Sequence, residues 1–167
     1  MATGCRRTVG PDPTVKFVQG LPPNIETLRT FLTPEPRMFY TYGDTIYGPE
    51  RPPPDVVEHE KIHMAQQERL LRLIRAEGEA WKARHPEVAY APYLRDNMGA
   101  DLWWDKYHNP DFRLQQEVEA YRVQVRWIWA RVSKDSRRGV TIVLAAALRN
   151  PSYGFKITEA RAMRLLA

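Results

Sequence analysis

The chain of 167 residues has almost no cysteine: Cys5 stands alone, close to one end. A lone thiol cannot close a disulfide within one chain, and it cannot build a cysteine-rich metal cluster. Such a chain suits a reducing compartment. Long apolar runs are missing as well. The most apolar stretch, GVTIVLAAAL from Gly139 to Leu148, is about half the length a membrane-spanning helix needs, so it is expected to be buried in a core. The start, MATGCRRTVGPDP, lacks the apolar centre of an export signal. There is no internal repeat and no low-complexity block. Neither charge dominates: the formal net charge is +5. That balance tolerates an acidic partner, a nucleic acid or a membrane surface, and selects none of them.

What is present reads as one α+β domain over residues 15–167, behind a flexible tail at 1–14, with more helix than strand. VKFVQG, Val15 to Gly20, predicts a short strand. Asn24 is expected to cap a short helix from Ile25 to Phe31, and Thr33 to Pro36 reads as a turn. RMFYTYGDTIYG, Arg37 to Gly48, holds two aromatic and β-branched runs around Gly43 and Asp44, which suits a hairpin or one bent strand. After the stiff ERPPP connector, Asp55 with Glu58 three residues on resembles a capping box, and predicts a helix from Val56 to about Glu77. Gly78 or Pro86 limits it. Its apolar stripe would contain Ile62, Leu70, Leu73 and Ile74. Further helices are expected over Val88 to Met98, Asp101 to Tyr107 and, after the Asn109-Pro110-Asp111 start signal, Phe112 to about Ser133. Another follows Gly139. Asn150, Pro151 and Gly154 form a loop, and Thr158 caps a last short helix through Leu166.

The chemistry concentrates in VVEHEKIHMAQQ, Val56 to Gln67. Residues four apart on a helix differ by about 40° around its axis, so His59 and His63 point the same way and can converge on one cation. Glu60 lies about 100° from His59, near the ion without needing to bind it. That is the place for a general base one water away from a metal. Gln66 lies near the histidine face, while Glu58, Lys61 and Gln67 are expected to face solvent. Tyr40 and Tyr42 are expected near the cleft. Catalytic zinc has three protein ligands and one open position. His85 and His108 have no partner at a suitable spacing, so the third ligand is expected from QEVEAY, Gln116 to Tyr121. Glu117 lies beside Val118 and Tyr121, at the edge of an apolar stripe, where a carboxylate needs a partner. Glu119 shares a face with Arg122 and Arg126 and suits a solvated ion pair. Glu117 is the choice and Glu119 the alternative. Ala120 is small enough to let this helix approach the first.

HEKIH matches the zincin metallopeptidase pattern H-E-x-x-H. With EVEAY downstream, the chain resembles the gluzincin-like group, in which a glutamate on a second helix is the third zinc ligand. It is most similar to small bacterial or bacteriophage-encoded metallopeptidase domains, in which an N-P…E-x-E-A-Y segment follows; here it reads NPDFRLQQEVEAY. The resemblance spans roughly Phe39 to Trp129. It implies a mainly helical zincin-like fold with a small sheet before the H-E-x-x-H helix. It also implies Zn2+ on His59, His63 and Glu117, Glu60 as the base, and a peptide or protein substrate. A cytoplasmic or virion-associated location follows, without membrane insertion. The chain departs from the wider class: Tyr121 stands where some glutamate zincins carry aspartate, no third histidine follows His63 in metzincin fashion, and the thermolysin-like N-E-x-x-x-D segment is missing.

Two other readings stay open. One is a non-catalytic zincin-fold binding or virion structural protein. The other is a nucleic-acid-binding protein, motivated by net charge and arginine-rich helices, with no clustered basic patch to frame it. Tyr121 reads as a core tyrosine or an oxyanion donor. The tryptophans at 103, 104, 127 and 129 read as core or groove aromatics. Arg131, Lys134, Arg137 and Arg138 read as a solvated turn or a phosphate contact. The aromatic strand from Met38 to Tyr47 is expected to take an extended peptide by edge addition.

Overall fold

A computed structural model describes residues 15–33, 37–87 and 97–167 of the chain. The expected tail at 1–14, most of the turn at 33–36 and nearly all of the helix expected from Val88 to Met98 lie outside these residues.

Three short strands come first: β1 (Lys16–Gln19), β2 (Tyr40–Tyr42) and β3 (Thr45–Gly48), with the four-residue helix α1 (Ile25–Leu28) after β1. β3 is the middle strand, parallel to β1 and antiparallel to β2. The expected hairpin is therefore present, and Thr41 faces Ile46 across it. Its turn needs Gly43, which takes φ 63, and a Cβ there would sit 2.5 Å from Asn97 Oδ1. Asn24 stands at the start of α1, but its side chain makes no capping bond.

The rest is helical: α2 (Pro54–Arg84), α3 (Met98–Lys106), α4 (Pro110–Trp129), α5 (Arg137–Leu148) and α6 (Glu159–Leu166). The protein is thus mostly helical, with a small three-stranded sheet preceding the helix that carries the histidines. α2 begins one residue before the expected cap. Pro54 occupies its first turn, where a missing N–H costs nothing and the fixed φ suits the helix. Asp55 therefore lies inside the first turn instead of capping it, and its carboxylate is used elsewhere. α2 also runs through Gly78 to Arg84, because alanine, glutamate and lysine around the glycine favour helix; the stop is set by Pro86.

The face that α2 buries is not the expected apolar stripe. Its buried residues are His59, Glu60, His63, Gln66 and Gln67, while Leu73 is 57% exposed. Gln67, expected in solvent, joins α2 to the hairpin: its Oε1 accepts from the Gly43 N–H at 2.8 Å, and its Nε2 donates to the Thr41 carbonyl at 2.9 Å. Trp104 Nε1 donates to that carbonyl too, at 3.0 Å. Peptide addition at this edge is thus met by an occupied carbonyl, and β3 has strands on both sides.

Two apolar clusters flank the polar face. One joins α4, α5 and α6 through Val118, Tyr121, Val125, Leu144, Leu148 and Leu166. The other joins Leu28, Leu32, Tyr40, Trp103, Trp104 and Tyr107. Gly99 lets α3 press onto α2, since a Cβ there would lie 2.7 Å from the Gln67 carbonyl oxygen. The apolar run from Gly139 to Leu148 buries only one side: Leu144, Ala145 and Leu148 are covered, while Val143 is 66% exposed. Start signals at α4 and α6 act as read. Asn109 accepts from the N–H groups of Asp111 and Phe112, and Thr158 accepts from that of Arg161. Among the described residues, no helix is long and apolar enough to cross a membrane.

Candidate metal centre

α2 and α4 face each other where the small Ala120 is fully buried. This packing brings His59, His63 and Glu117 together. His63 Nε2 lies 3.1 Å from His59 Nε2. The Glu117 carboxylate completes the triangle, with Oε1 3.3 Å from His63 Nε2 and Oε2 3.4 Å from His59 Nε2. All three residues are buried, none more than 6% exposed. They form a group whose ligand atoms could hold one metal ion.

The hydrogen bonds around the rings fix which nitrogens face inward. Gln124 Nε2 donates to Asp55 Oδ2 at 2.8 Å, which turns its Oε1 toward His59 Nδ1 at 3.2 Å. Gln66 Nε2 donates to the Gln116 carbonyl and to Glu119 Oε2, both at 3.1 Å, which turns its Oε1 toward His63 Nδ1 at 2.8 Å. An amide oxygen only accepts, so each Nδ1 carries the proton. Each Nε2 then offers a lone pair to the same point, opposite a carboxylate. Two lone pairs and an anion at this separation suit a positive charge between them, a metal ion or a proton. The separations suit a tetrahedral ion: bonds of about 2.0–2.1 Å place neighbouring ligand atoms roughly 3.3 Å apart. Glu117 Oε2 is buried without a hydrogen-bond partner among the described residues, as expected of an atom reserved for an ion.

Electrostatics points the same way. Burial works to lower the His63 pKa, but the Glu117 carboxylate outweighs it and holds the imidazole up at about 9. Burial pushes Glu117 up, yet the two histidines hold it well below the usual carboxylate range. Without a metal, a proton on His63 supplies the missing positive charge. His63 is raised above its ordinary 6.5, so its contribution to stability is full below about 6.5 and is lost as pH climbs through about 9. Glu117 is lowered from 4.5, so its contribution is present above that value and is lost as pH falls. The melting temperature of chelator-treated protein is therefore expected to fall between pH 6.5 and 9, and His63→Ala protein is expected to lose that decline. An equal decline in both proteins would place its origin elsewhere.

Glu60 is buried beside the triangle, and its Oε2 accepts from Thr41 Oγ1 at 2.6 Å. It lines two spaces. One is an inner cavity of about 20 Å³ bounded by the histidines, Glu117, Tyr107 and Tyr153, large enough for one water. The other is an outer cleft of about 270 Å³ bounded by residues 37–39, Val56, Leu144 and Tyr153. The larger groove beside α6 contains none of these site residues. Met38 and Phe39, the first residues of the stretch expected to take a peptide, thus line the cleft with Arg37, just ahead of β2. Tyr40 lines the inner cavity, while Tyr42 turns away to donate to Asp101.

Sequence reading missed several members. Tyr107 donates a hydrogen bond to Glu117 Oε1, and burial, aided by that carboxylate, raises its pKa so that the hydroxyl stays protonated. Burial does the same to Tyr153, whose hydroxyl lies 3.4 Å from that of Tyr121. Tyr121 itself is buried, packs edge-on against His59 and also lines the outer cleft. Arg113, one turn before Glu117, donates to the carbonyls of Tyr107 at 2.6 Å and Tyr153 at 3.0 Å, and so holds both tyrosines in place. Only Gln124 had a signal: it follows Glu117 by two helical turns on the same face. Glu119 pairs with Arg69 of α2 at 3.0 Å, rather than with the arginines of its own helix. His108 packs against Phe31 with the rings tilted, and His85 faces Glu87; neither lines the inner cavity or the outer cleft.

Replacing Gln124 by leucine removes the acceptor that orients His59. Loss of such a partner costs about 10–100-fold in metal affinity. Competition titration with a chromophoric chelator measures it, and unchanged affinity would show that the ring is oriented without the amide.

His59-Glu60-x-x-His63 with Glu117 downstream matches the gluzincin-like H-E-x-x-H plus glutamate metal-binding motif. No family model, curated protein or solved structure matches this chain.

Proposed function

We propose that this protein is a zinc-dependent peptidase, with His59, His63 and Glu117 as the ligands and Glu60 as the general base. The observation that carries the reading is the position of Glu60. Its carboxylate lines both the cavity beside the triangle and the outer cleft, so it reaches a water on one side and a substrate on the other. A bound zinc ion would lower the pKa of a coordinated water and polarise the scissile carbonyl. Glu60 takes the proton from the attacking water and passes it to the leaving amine. The Thr41 hydroxyl holds one oxygen of that carboxylate and leaves the other for the exchange. Tyr153 borders both spaces with a hydroxyl that stays protonated, and it supplies the hydrogen bond to the oxyanion. The mouth of the cleft, with Met38, Phe39, Val56 and Leu144, receives an apolar side chain of the substrate.

One observation favours a second reading. The inner cavity has room for a water and not for a peptide, so a non-catalytic protein keeping its ion as a closed structural site fits the same residues. A mixed peptide library, incubated with zinc-loaded protein and followed by mass spectrometry, separates the two. Cleavage that stops on chelation and returns with zinc is the expected result. Zinc-loaded protein that cleaves nothing would favour the second reading.

A further inference from the structure

A second concavity opens along the seam of α2 and α4. It is a groove of about 1030 Å³ between α2, α4 and α6, and it shares no lining residue with the cleft or the inner cavity. Leu70, Leu73, Leu114 and Leu165 give it an apolar strip. Arg122 and Arg126 border it from the second half of α4, and Arg161 from α6. Among the described residues, these three arginines have no carboxylate partner: Glu119, the nearest acid on α4, is taken by Arg69. Arg122 uses its Nε on the Leu165 carbonyl at 2.6 Å, which holds α6 against α4 and aims the rest of the guanidinium outward.

We propose that this groove docks an acidic, leucine-bearing segment of a partner protein, at a surface whose wall includes Gln66, which orients His63, but none of the three candidate ligands. Charge chooses the occupant. Unpaired guanidinium groups at one end of an apolar strip fit carboxylates followed by leucines, and each guanidinium offers paired donors to a carboxylate. Length agrees. From Asp111 to Arg126 along α4 is about 22 Å, the span of six or seven extended residues or about fifteen helical ones. A nucleic acid fits less well. Its phosphates repeat along the whole groove and would meet Asp111 at the end away from the arginines, where the proposed segment carries leucines; Trp103, which borders the groove, is 1% exposed and offers no face for base stacking.

The test is fluorescence anisotropy with a labelled peptide of about fifteen residues, glutamates toward one end and leucines toward the other, made in both orders. Chelator is present throughout, so the result does not depend on the metal or on peptidase activity. R126E/R161E is the test variant, since both side chains are exposed and Arg122 keeps its bond to α6; R126Q/R161Q serves if charge reversal disturbs the fold. Saturable binding, weakened at least about tenfold by the variant and by added salt, is the expected result. Equal binding to the variant, or no binding in either order, overturns the proposal. So does a single-stranded oligonucleotide that displaces the peptide and binds more tightly, which would assign the groove to nucleic acid.

Discussion

Glu117→Ala protein is expected to lose its metal. The carboxylate faces both imidazoles, at 3.3 and 3.4 Å, and it is the only anion of the triangle. Without it, two neutral rings would hold a doubly charged ion in a buried site. The loss in affinity should exceed the roughly 10–100-fold that follows removal of an outer partner. A stability change accompanies it, because the buried Tyr107 hydroxyl loses its acceptor; such an orphaned group costs about 1–3 kcal/mol. Glu119→Gln is the control. That residue pairs with Arg69 and touches Gln66, not the triangle, so it should bind zinc nearly as the parent does. Zinc retained by Glu117→Ala but lost by Glu119→Gln would move the third ligand to Glu119.

Glu60→Gln is expected to keep the metal and lose the reaction. Glutamine has nearly the same shape, and its Oε1 still accepts from Thr41 Oγ1, which holds the native carboxylate at 2.6 Å. It cannot take a proton from water. General base catalysis typically contributes 10²–10⁴-fold, so kcat should fall by about that factor with KM little changed. Zinc content, KM and kcat on one cleaved peptide measure all three consequences. Hydrolysis at the parental rate would assign the base to another group.

The local parts of this fold were legible because their causes are local. Asn109 and Pro110 start α4, Thr158 starts α6, and Gly43 with Asp44 turns the hairpin through side chains next to the backbone they control. His59 and His63 share a face by helical arithmetic alone. Glu117 was selected because a carboxylate at the edge of an apolar stripe must find a positive partner. The failures came from distance. Asp55 looked like a cap because the sequence does not reveal that its carboxylate is used by Gln124, sixty-nine residues away. Gln67 looked solvated because its partners, Thr41 and Gly43, lie on a hairpin that only the fold brings near. The apolar stripe of α2 misled for a related reason: the helix buries imidazole, carboxylate and amide groups that satisfy one another, so hydropathy has no mark for its inward face. Tyr107 and Tyr153 left no pattern at all, since Arg113 places both through their backbone carbonyls.

Zinc K-edge X-ray absorption on the reconstituted protein tests the central claim most directly. Four light ligands at about 2.0–2.1 Å, two of them with the multiple scattering of imidazole rings, is the outcome these contacts require. A shell of six oxygens without imidazole scattering, or zinc that washes away entirely on gel filtration, would contradict it.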